Sequence, residues 1–195
     1  SPLPPQRRST LEAYRNILGR ELTRYPARLL ERSGLKAGVV CEELSFEGAE
    51  CYSFADVERG RLYMSTRAGR DEAYVRRTIH HEVFHQVDFA AHHRLASDPD
   101  WEALNPPGFR YTHDAATLQA DPDATRPDDA PPGFLNRYAT TSPAEDKAEV
   151  FSALVTDLDG TTRRADLDAV LRRKVERVRA TLDRIEPHAR AMISP

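Results

Sequence analysis

The stretch TIHHEVFHQVDFAAHH, residues 78–93, holds five of the seven histidines in this chain of 195 residues. Apolar residues recur through it at helical spacing, at Val75, Ile79, Val83 and Val87. Asp71 and Glu72 precede them, where the dipole of a first helical turn favours negative charge. The pattern predicts a helix over residues 71–93 with one apolar face toward a core.

An H-E-x-x-H sequence lies inside this predicted helix, at residues 81–85. Because residues four apart share a helix face, His81 and His85 can bind the same metal ion. Zinc is the expected ion. Glu82 is the next residue along the helix, so its side chain is rotated about the helix axis relative to His81. From there its carboxylate can take a proton from a metal-bound water without binding the metal itself. The alternative is a pair of core histidines that hydrogen-bond to their surroundings.

The other five histidines fit no ligand spacing on that helix face, and we expect them at the surface or behind the metal ligands. They are His80, His92, His93, His113 and His188.

A catalytic zinc usually has three protein ligands and a water, so a third ligand is required. A histidine six residues after His85 is not available, because Ala91 stands there. A later helix offers glutamates instead: the residues after Ser142 match a capping box, and Glu145 and Glu149 share one face. Either could reach the metal while the other braces a histidine. The alternative is that both are solvent-facing acids near a helix start.

The composition fits one compact domain, with 39% apolar residues over 195 positions. We expect a disordered tail at residues 1–9 and a single domain at 10–195. Its core spans 34–155, and an amphipathic helix follows a turn at 156–162 and occupies 164–186.

Three short runs rich in Val, Phe, Tyr and Leu predict a small antiparallel or mixed sheet, at residues 38–44, 49–55 and 60–66. A long Pro- and Asp-rich segment at 94–137 is expected to be a loop that crosses the domain. Together with the helices, these runs predict an α+β fold. Cys41 and Cys51 could form a cross-strand disulfide or remain free buried thiols.

The charges nearly cancel, at 28 Lys and Arg against 31 Asp and Glu. No overall field favours nucleic acid as a partner. No apolar run approaches the roughly 20 residues that cross a bilayer, so no membrane span is expected. We expect a monomer.

The segments HEVFHQVD (81–88) and RYATTSPAEDKAEVF (137–151) resemble the catalytic domain of anthrax lethal factor and its relatives, including the Pro-Pro endopeptidases, among the gluzincin-type zincins. The resemblance covers about residues 34–155. It implies that Glu145 is the third zinc ligand and that Glu149 lies behind the ligands. It also implies that the Tyr138 phenol stabilises the oxyanion and that Asp88 orients a ligand.

The upstream residues resemble the same family's sheet. There the last strand is the edge that pairs with an extended substrate, which implies a substrate edge strand at Leu62, Tyr63, Met64 and Ser65. Phe84 departs from the glycine common in the family's motif, and the 94–137 segment is unusually long.

The resemblance implies a zinc-dependent endopeptidase with one Zn²⁺ ion and a peptide or protein substrate. A zinc-containing peptide-binding or toxin-like module with little catalysis is the main alternative. A nucleic-acid-associated metallopeptidase is weaker, because neither a basic patch nor a zinc ribbon is evident. The sequence does not fix the compartment; a secreted or extracytoplasmic location and a bacterial origin are the expectation.

Overall fold

The computed structural model describes residues 4–46, 48–68, 71–93, 97–119, 121, 123–126 and 130–194. It is a mixed α+β structure in which helices predominate. The helices are α1 Pro5–Leu22, α2 Ala27–Ser33, α3 Glu72–His92, α4 Pro99–Glu102, α5 Ala115–Gln119, α6 Pro143–Thr156, α7 Leu158–Leu167 and α8 Ala169–Ile185. The strands are β1 Ala37–Cys41, β2 Ser45–Phe46, β3 Ala49–Glu50, β4 Ser53–Asp56 and β5 Arg61–Ser65.

The central element is α3, which contacts α1, α2, α6, α8 and the sheet. Its predicted bounds are confirmed, and Asp71 caps its start by accepting a hydrogen bond from the Tyr74 N–H at 2.8 Å. The predicted apolar face is buried, at Val75, Ile79, Val83 and Val87. Phe84 is also fully buried and stacks on Phe151 of α6, with ring centroids 4.8 Å apart. In the place of the family's glycine, this phenylalanine therefore fills the contact between two helices. None of the helices over the described ranges is long and apolar enough to cross a membrane.

The sheet is mixed, with strand order β1-β5-β4. β1 runs parallel to β5, β4 runs antiparallel to it, and β2 and β3 form a separate hairpin. Tyr63 is paired with Val39 on one side and with Phe54 on the other. The assignment of Leu62, Tyr63, Met64 and Ser65 to an edge strand is therefore wrong, because both sides of β5 already have partners. Three successive strand-like runs suggest a meander, in which each strand pairs with the next one along the chain. In the structure the last of the three strands lies between the other two.

The first helix begins at Pro5, so the predicted disordered tail at residues 1–9 is wrong over residues 5–9, while residues 1–3 lie outside the described chain. A proline is accepted in the first helical turn because its missing N–H would have no helical partner there. Burial of Tyr14 and Leu18 holds this helix on the domain.

The predicted C-terminal helix at 164–186 is two helices, and the predicted turn at 156–162 is mostly the start of α7. Asp157 caps α7 by accepting from the Gly160 N–H at 3.0 Å. Asp168 caps α8 by accepting from the N–H groups of Val170 and Leu171. Because a new helix starts after Asp168, α7 ends at Leu167. Leu167, the last residue of α7, is consequently 91% exposed.

The long crossing segment packs on the domain through its first half. Trp101 is fully buried and donates from its indole N–H to Asp146 of α6 at 2.9 Å. The same carboxylate accepts from the buried Lys174 of α8 at 2.7 Å. The described first half of this segment is therefore part of the folded domain, and its Trp101 shares the Asp146 carboxylate of α6 with Lys174 of α8.

The α1–α3 contact contains a buried carboxylate, Glu21, which predicts a pH dependence of stability. Burial would raise the pKa of Glu21, but hydrogen bonds from Arg24 and Arg76 lower it to about 2. Because the folded-state pKa lies below the unfolded value, ionised Glu21 stabilises the fold above about pH 4.5 and this contribution is lost as the pH falls toward 2.

We expect Glu21→Gln to remove on the order of 3 kcal/mol of the stability at neutral pH and to flatten the acid limb of the stability curve. Urea unfolding between pH 7 and pH 2 measures this effect. Glu12→Gln, at an exposed position of the same helix, is the matched control. Equal acid sensitivity of Glu21→Gln and the unmodified protein would contradict the assignment.

Candidate metal centre

The crossing of α3 and α6 brings the three predicted ligands together. The Nε2 atoms of His81 and His85 are 3.0 Å apart. Glu145 Oε2 lies 2.8 Å from His81 Nε2 and 3.7 Å from His85 Nε2. Ser142 caps α6, accepting from the Glu145 N–H at 3.2 Å, which places this glutamate in the first turn facing α3. The prediction that His81, His85 and Glu145 form one cluster is confirmed.

The cluster fits a single metal ion in size and in chemistry. Bonds of about 2.0–2.1 Å in a tetrahedral arrangement place ligand atoms about 3.3 Å from one another. The three observed separations, 2.8, 3.0 and 3.7 Å, lie on both sides of that value. Two imidazoles and one carboxylate form a ligand set typical of zinc.

Glu149 sets the orientation of His81. Its Oε1 atom accepts a hydrogen bond from His81 Nδ1 at 3.0 Å. A cation bound at Nε2 would leave the proton on Nδ1, where Glu149 accepts it. Glu149 therefore contacts His81 on the ring side away from Glu145, and its role behind a metal ligand stays a prediction.

Two further residues hold Glu149 in place, Arg77 at 3.2 Å and the Asn136 amide, which donates to Oε2. Neither was identified from the sequence. Arg77 stands in a helix with many charged residues and Asn136 in an irregular segment, so no local pattern marks them. Only the approach of α3, α6 and residues 135–137 brings these side chains together.

The electrostatics of the cluster favour added positive charge. Burial lowers the pKa of His81, yet the adjacent Glu145 and Glu149 carboxylates outweigh it and raise this pKa to about 10. Burial would raise the pKa of Glu145, but the charge of His85 and the hydrogen bond with His81 hold this pKa well below the usual range. The two ionised carboxylates thus stabilise positive charge at His81, and a divalent cation on Nε2 would supply that charge in place of a proton.

Glu82 and Tyr138 line one pocket of about 40 Å³ together with His81. This volume exceeds the space that one ordered water needs. Glu82 is buried, and within the described part of the chain no hydrogen bond or ion pair engages its carboxylate. It is therefore available to a ligand or water that enters the pocket.

Tyr138 comes from a 3-10 helix at Tyr138–Thr140, and its ring centroid lies 6.0 Å from that of His81. Burial and the negative charge of Glu145 raise the pKa of Tyr138 well above its ordinary value. The phenol consequently keeps its proton at neutral pH and can act as a hydrogen-bond donor in the pocket.

Asp88 does not contact a ligand histidine in this structure, so its predicted orienting role is wrong. Its Oδ2 atom accepts from the buried Lys147 at 2.9 Å, and Oδ1 lies 3.8 Å from His92 Nε2. Lys147 also pairs with Asp98 at 2.8 Å. Three residues beyond His85 on the helix, Asp88 turns toward this ion-pair network instead.

The remaining histidines divide by exposure. His93, His113 and His188 are exposed, as predicted, and His92 is half-buried. His80 is fully buried and interacts with Glu21 at 3.1 Å through Nε2 and with the Tyr25 hydroxyl through Nδ1. It belongs to the α1–α3 contact, so the expectation of a surface or ligand-supporting role is wrong for this residue.

The strand nearest the pocket is β4, whose Ser53 is part of the pocket wall. Within the described sheet β4 pairs with β5 alone, so β4 is an edge strand. Of the two edge strands in the order β1-β5-β4, β4 is therefore the one that reaches the pocket wall. Cys41 and Cys51, on either side of the hairpin, are free thiols in this structure.

Comparisons with known proteins find no family model, no curated protein and no solved structure that matches this chain.

Proposed function

We propose that this protein is a zinc-dependent endopeptidase. The observation that carries the proposal is the convergence of His81, His85 and Glu145 in one cluster, with both histidines buried and Glu145 half-buried. The pocket beside it supplies a carboxylate at Glu82 and a phenol at Tyr138. These are the two groups that amide hydrolysis requires next to such an ion.

A zinc ion held by the three residues would polarise the scissile carbonyl and acidify a bound water. Glu82 would accept the proton of that water as it attacks and then deliver it to the leaving amine. Tyr138 would donate its O–H to the oxygen that becomes negative. Glu149 would hold His81 in the tautomer that leaves Nε2 free. Of the residues with these roles, His81, Glu82, Tyr138 and Glu149 line the pocket.

An extended substrate would bind along β4. The unpaired backbone groups of an edge strand can hydrogen-bond a peptide as an added strand. Because Ser53 also belongs to the pocket wall, a peptide on β4 passes close to the metal cluster.

The direct test is cleavage of a mixed peptide library by protein loaded with one equivalent of zinc, with products identified by mass spectrometry. We expect internal cleavage that a chelator abolishes and added zinc restores. Stoichiometric zinc without turnover on any peptide would contradict the proposal and favour a zinc-containing peptide-binding module.

Tyr138→Phe tests the oxyanion role. Loss of one donor to a developing oxyanion typically costs about 10²–10³ in kcat. We expect a decrease of that order with little change in zinc content, since the ring stays in place and only the hydroxyl is lost. Steady-state kinetics with metal analysis measure both quantities, and an unchanged kcat would remove Tyr138 from the mechanism.

A further inference from the structure

A second cavity of about 540 Å³ opens beside the metal pocket, between α6, α7 and the segment that precedes α6. The two cavities share Arg77, Thr125 and Glu149 as walls. The two cavities therefore adjoin at these three residues.

The second cavity has an apolar component, formed by Leu135, Ala153 and Leu167. Leu167 is 91% exposed at its rim. The helix break at Asp168 causes this exposure, because α8 restarts with a new cap and does not carry Leu167 onto its buried face. Full burial of a leucine side chain is worth about 1.5–3 kcal/mol, so a partner that covers Leu167 gains binding free energy.

The cavity also carries positive charge that the described acids do not balance. Arg163 is exposed, and no described acid pairs with it. Arg164 donates to the main-chain oxygens of Leu135 and Phe134, both at 3.1 Å, which are neutral acceptors. The third arginine, Arg77, is paired with Glu149.

The one other acid in the described wall is Asp157, which accepts from the Gly160 N–H as the cap of α7. Two guanidinium groups thus remain without a carboxylate beside an apolar surface. A guanidinium binds a carboxylate in a bidentate fork, and this geometry favours acidic over neutral partners.

We propose that this cavity is a substrate-recognition site for a peptide segment in which apolar residues alternate with acidic ones. The apolar side chains cover the exposed Leu167, and the carboxylates pair with Arg163 and Arg164. The inference rests on the proposed endopeptidase function, because it assigns the bound segment to the peptide that reaches the metal cluster.

The test measures binding without cleavage, in the zinc-loaded Glu82→Gln protein. The probes are two fluorescein-labelled peptides with Gly-Ser flanks, one with the core Glu-Leu-Glu-Leu and one with the core Lys-Leu-Lys-Leu. We expect fluorescence anisotropy to show at least tenfold tighter binding of the acidic peptide, with a preference that shrinks at high salt. Equal affinity for both peptides would overturn the proposal.

Two substitutions test whether the peptides bind in this cavity. Arg163→Glu is expected to lower the affinity for the acidic peptide at least tenfold and to raise the affinity for the basic one. Leu167→Ser is expected to lower the affinity for both peptides about equally. Arg28→Glu, at an exposed position of α2 outside the cavity walls, is the matched control. Both substituted side chains are exposed, so thermal unfolding should be unchanged. The same affinities in Arg163→Glu and Arg28→Glu would refute the assignment.

The two proposals fail in different ways. Arg163-dependent peptide binding by a protein that cleaves nothing would support the cavity and contradict the hydrolysis. Cleavage of acidic and basic peptides at equal rates would contradict the cavity and support the hydrolysis.

Discussion

Glu82→Gln is expected to reduce peptide hydrolysis by about 10³-fold or more while zinc content stays at one equivalent. General acid–base catalysis contributes about 10²–10⁴-fold, and glutamine keeps the shape of the side chain but cannot take up a proton. Because His81, His85 and Glu145 are the cluster that would hold the ion, Glu82 can change without loss of a ligand. The measurement pairs kcat/KM on a cleaved library peptide with metal analysis of the same sample.

The control for Glu82→Gln is Glu12→Gln, which alters an exposed glutamate on α1. This variant should hydrolyse the peptide at the unmodified rate. If Glu82→Gln also retained that rate, the base would have to be another group. If it lost its zinc instead, Glu82 would belong to the ligand set.

Glu145→Ala is expected to lower zinc affinity by more than about 100-fold and to remove activity with it. Substitution of a residue behind a metal ligand typically costs 10–100-fold in affinity, and loss of a direct ligand should exceed that. The carboxylate in question approaches His81 Nε2 to 2.8 Å, so its removal takes away one of the three converging donor groups. Competition with a chromophoric chelator gives the affinity independently of any turnover.

A graded series makes the Glu145 result specific. Glu149→Gln should lower zinc affinity by about 10–100-fold, because a neutral amide oxygen accepts more weakly from His81 than a carboxylate does. Glu12→Ala should leave the affinity unchanged. Equal zinc affinity in Glu145→Ala and the unmodified protein would assign the third ligand to a different residue.

Local spacing was sufficient to predict that the two histidines of the cluster lie together. His81 and His85 are four residues apart, and helical geometry alone places them on one face. Ser142 predicts the start of α6 by its capping chemistry, and its hydrogen bond with the Glu145 N–H is observed. These features depend on residues within one or two turns, so they can be derived from the chain without knowledge of its partners. The choice of Glu145 over Glu149 came from the family resemblance, and the structure agrees with it.

The support around the ligands required the tertiary structure. Arg77 and Asn136 meet at Glu149 only because three distant segments pack together. His80 and Asp88 carry the same residue types as a metal site, yet their partners lie in α1 and α6. Which buried group a titratable side chain reaches depends on the packing angle of the helices, and the sequence pattern does not contain that angle.

The amino-acid sequence by itself determined α3, the capped start of α6 and the two histidines that could share a metal, because backbone hydrogen bonding and capping act over a few residues. The tertiary structure decided that β5 is central and that β4 lies at the edge. It also decided that α7 ends at Leu167 and leaves that side chain exposed. Short apolar runs look alike in central and edge strands, and a helix can continue or restart at an aspartate. Contacts between residues far apart in the chain select between these possibilities, since only those contacts contribute the free energy that distinguishes them.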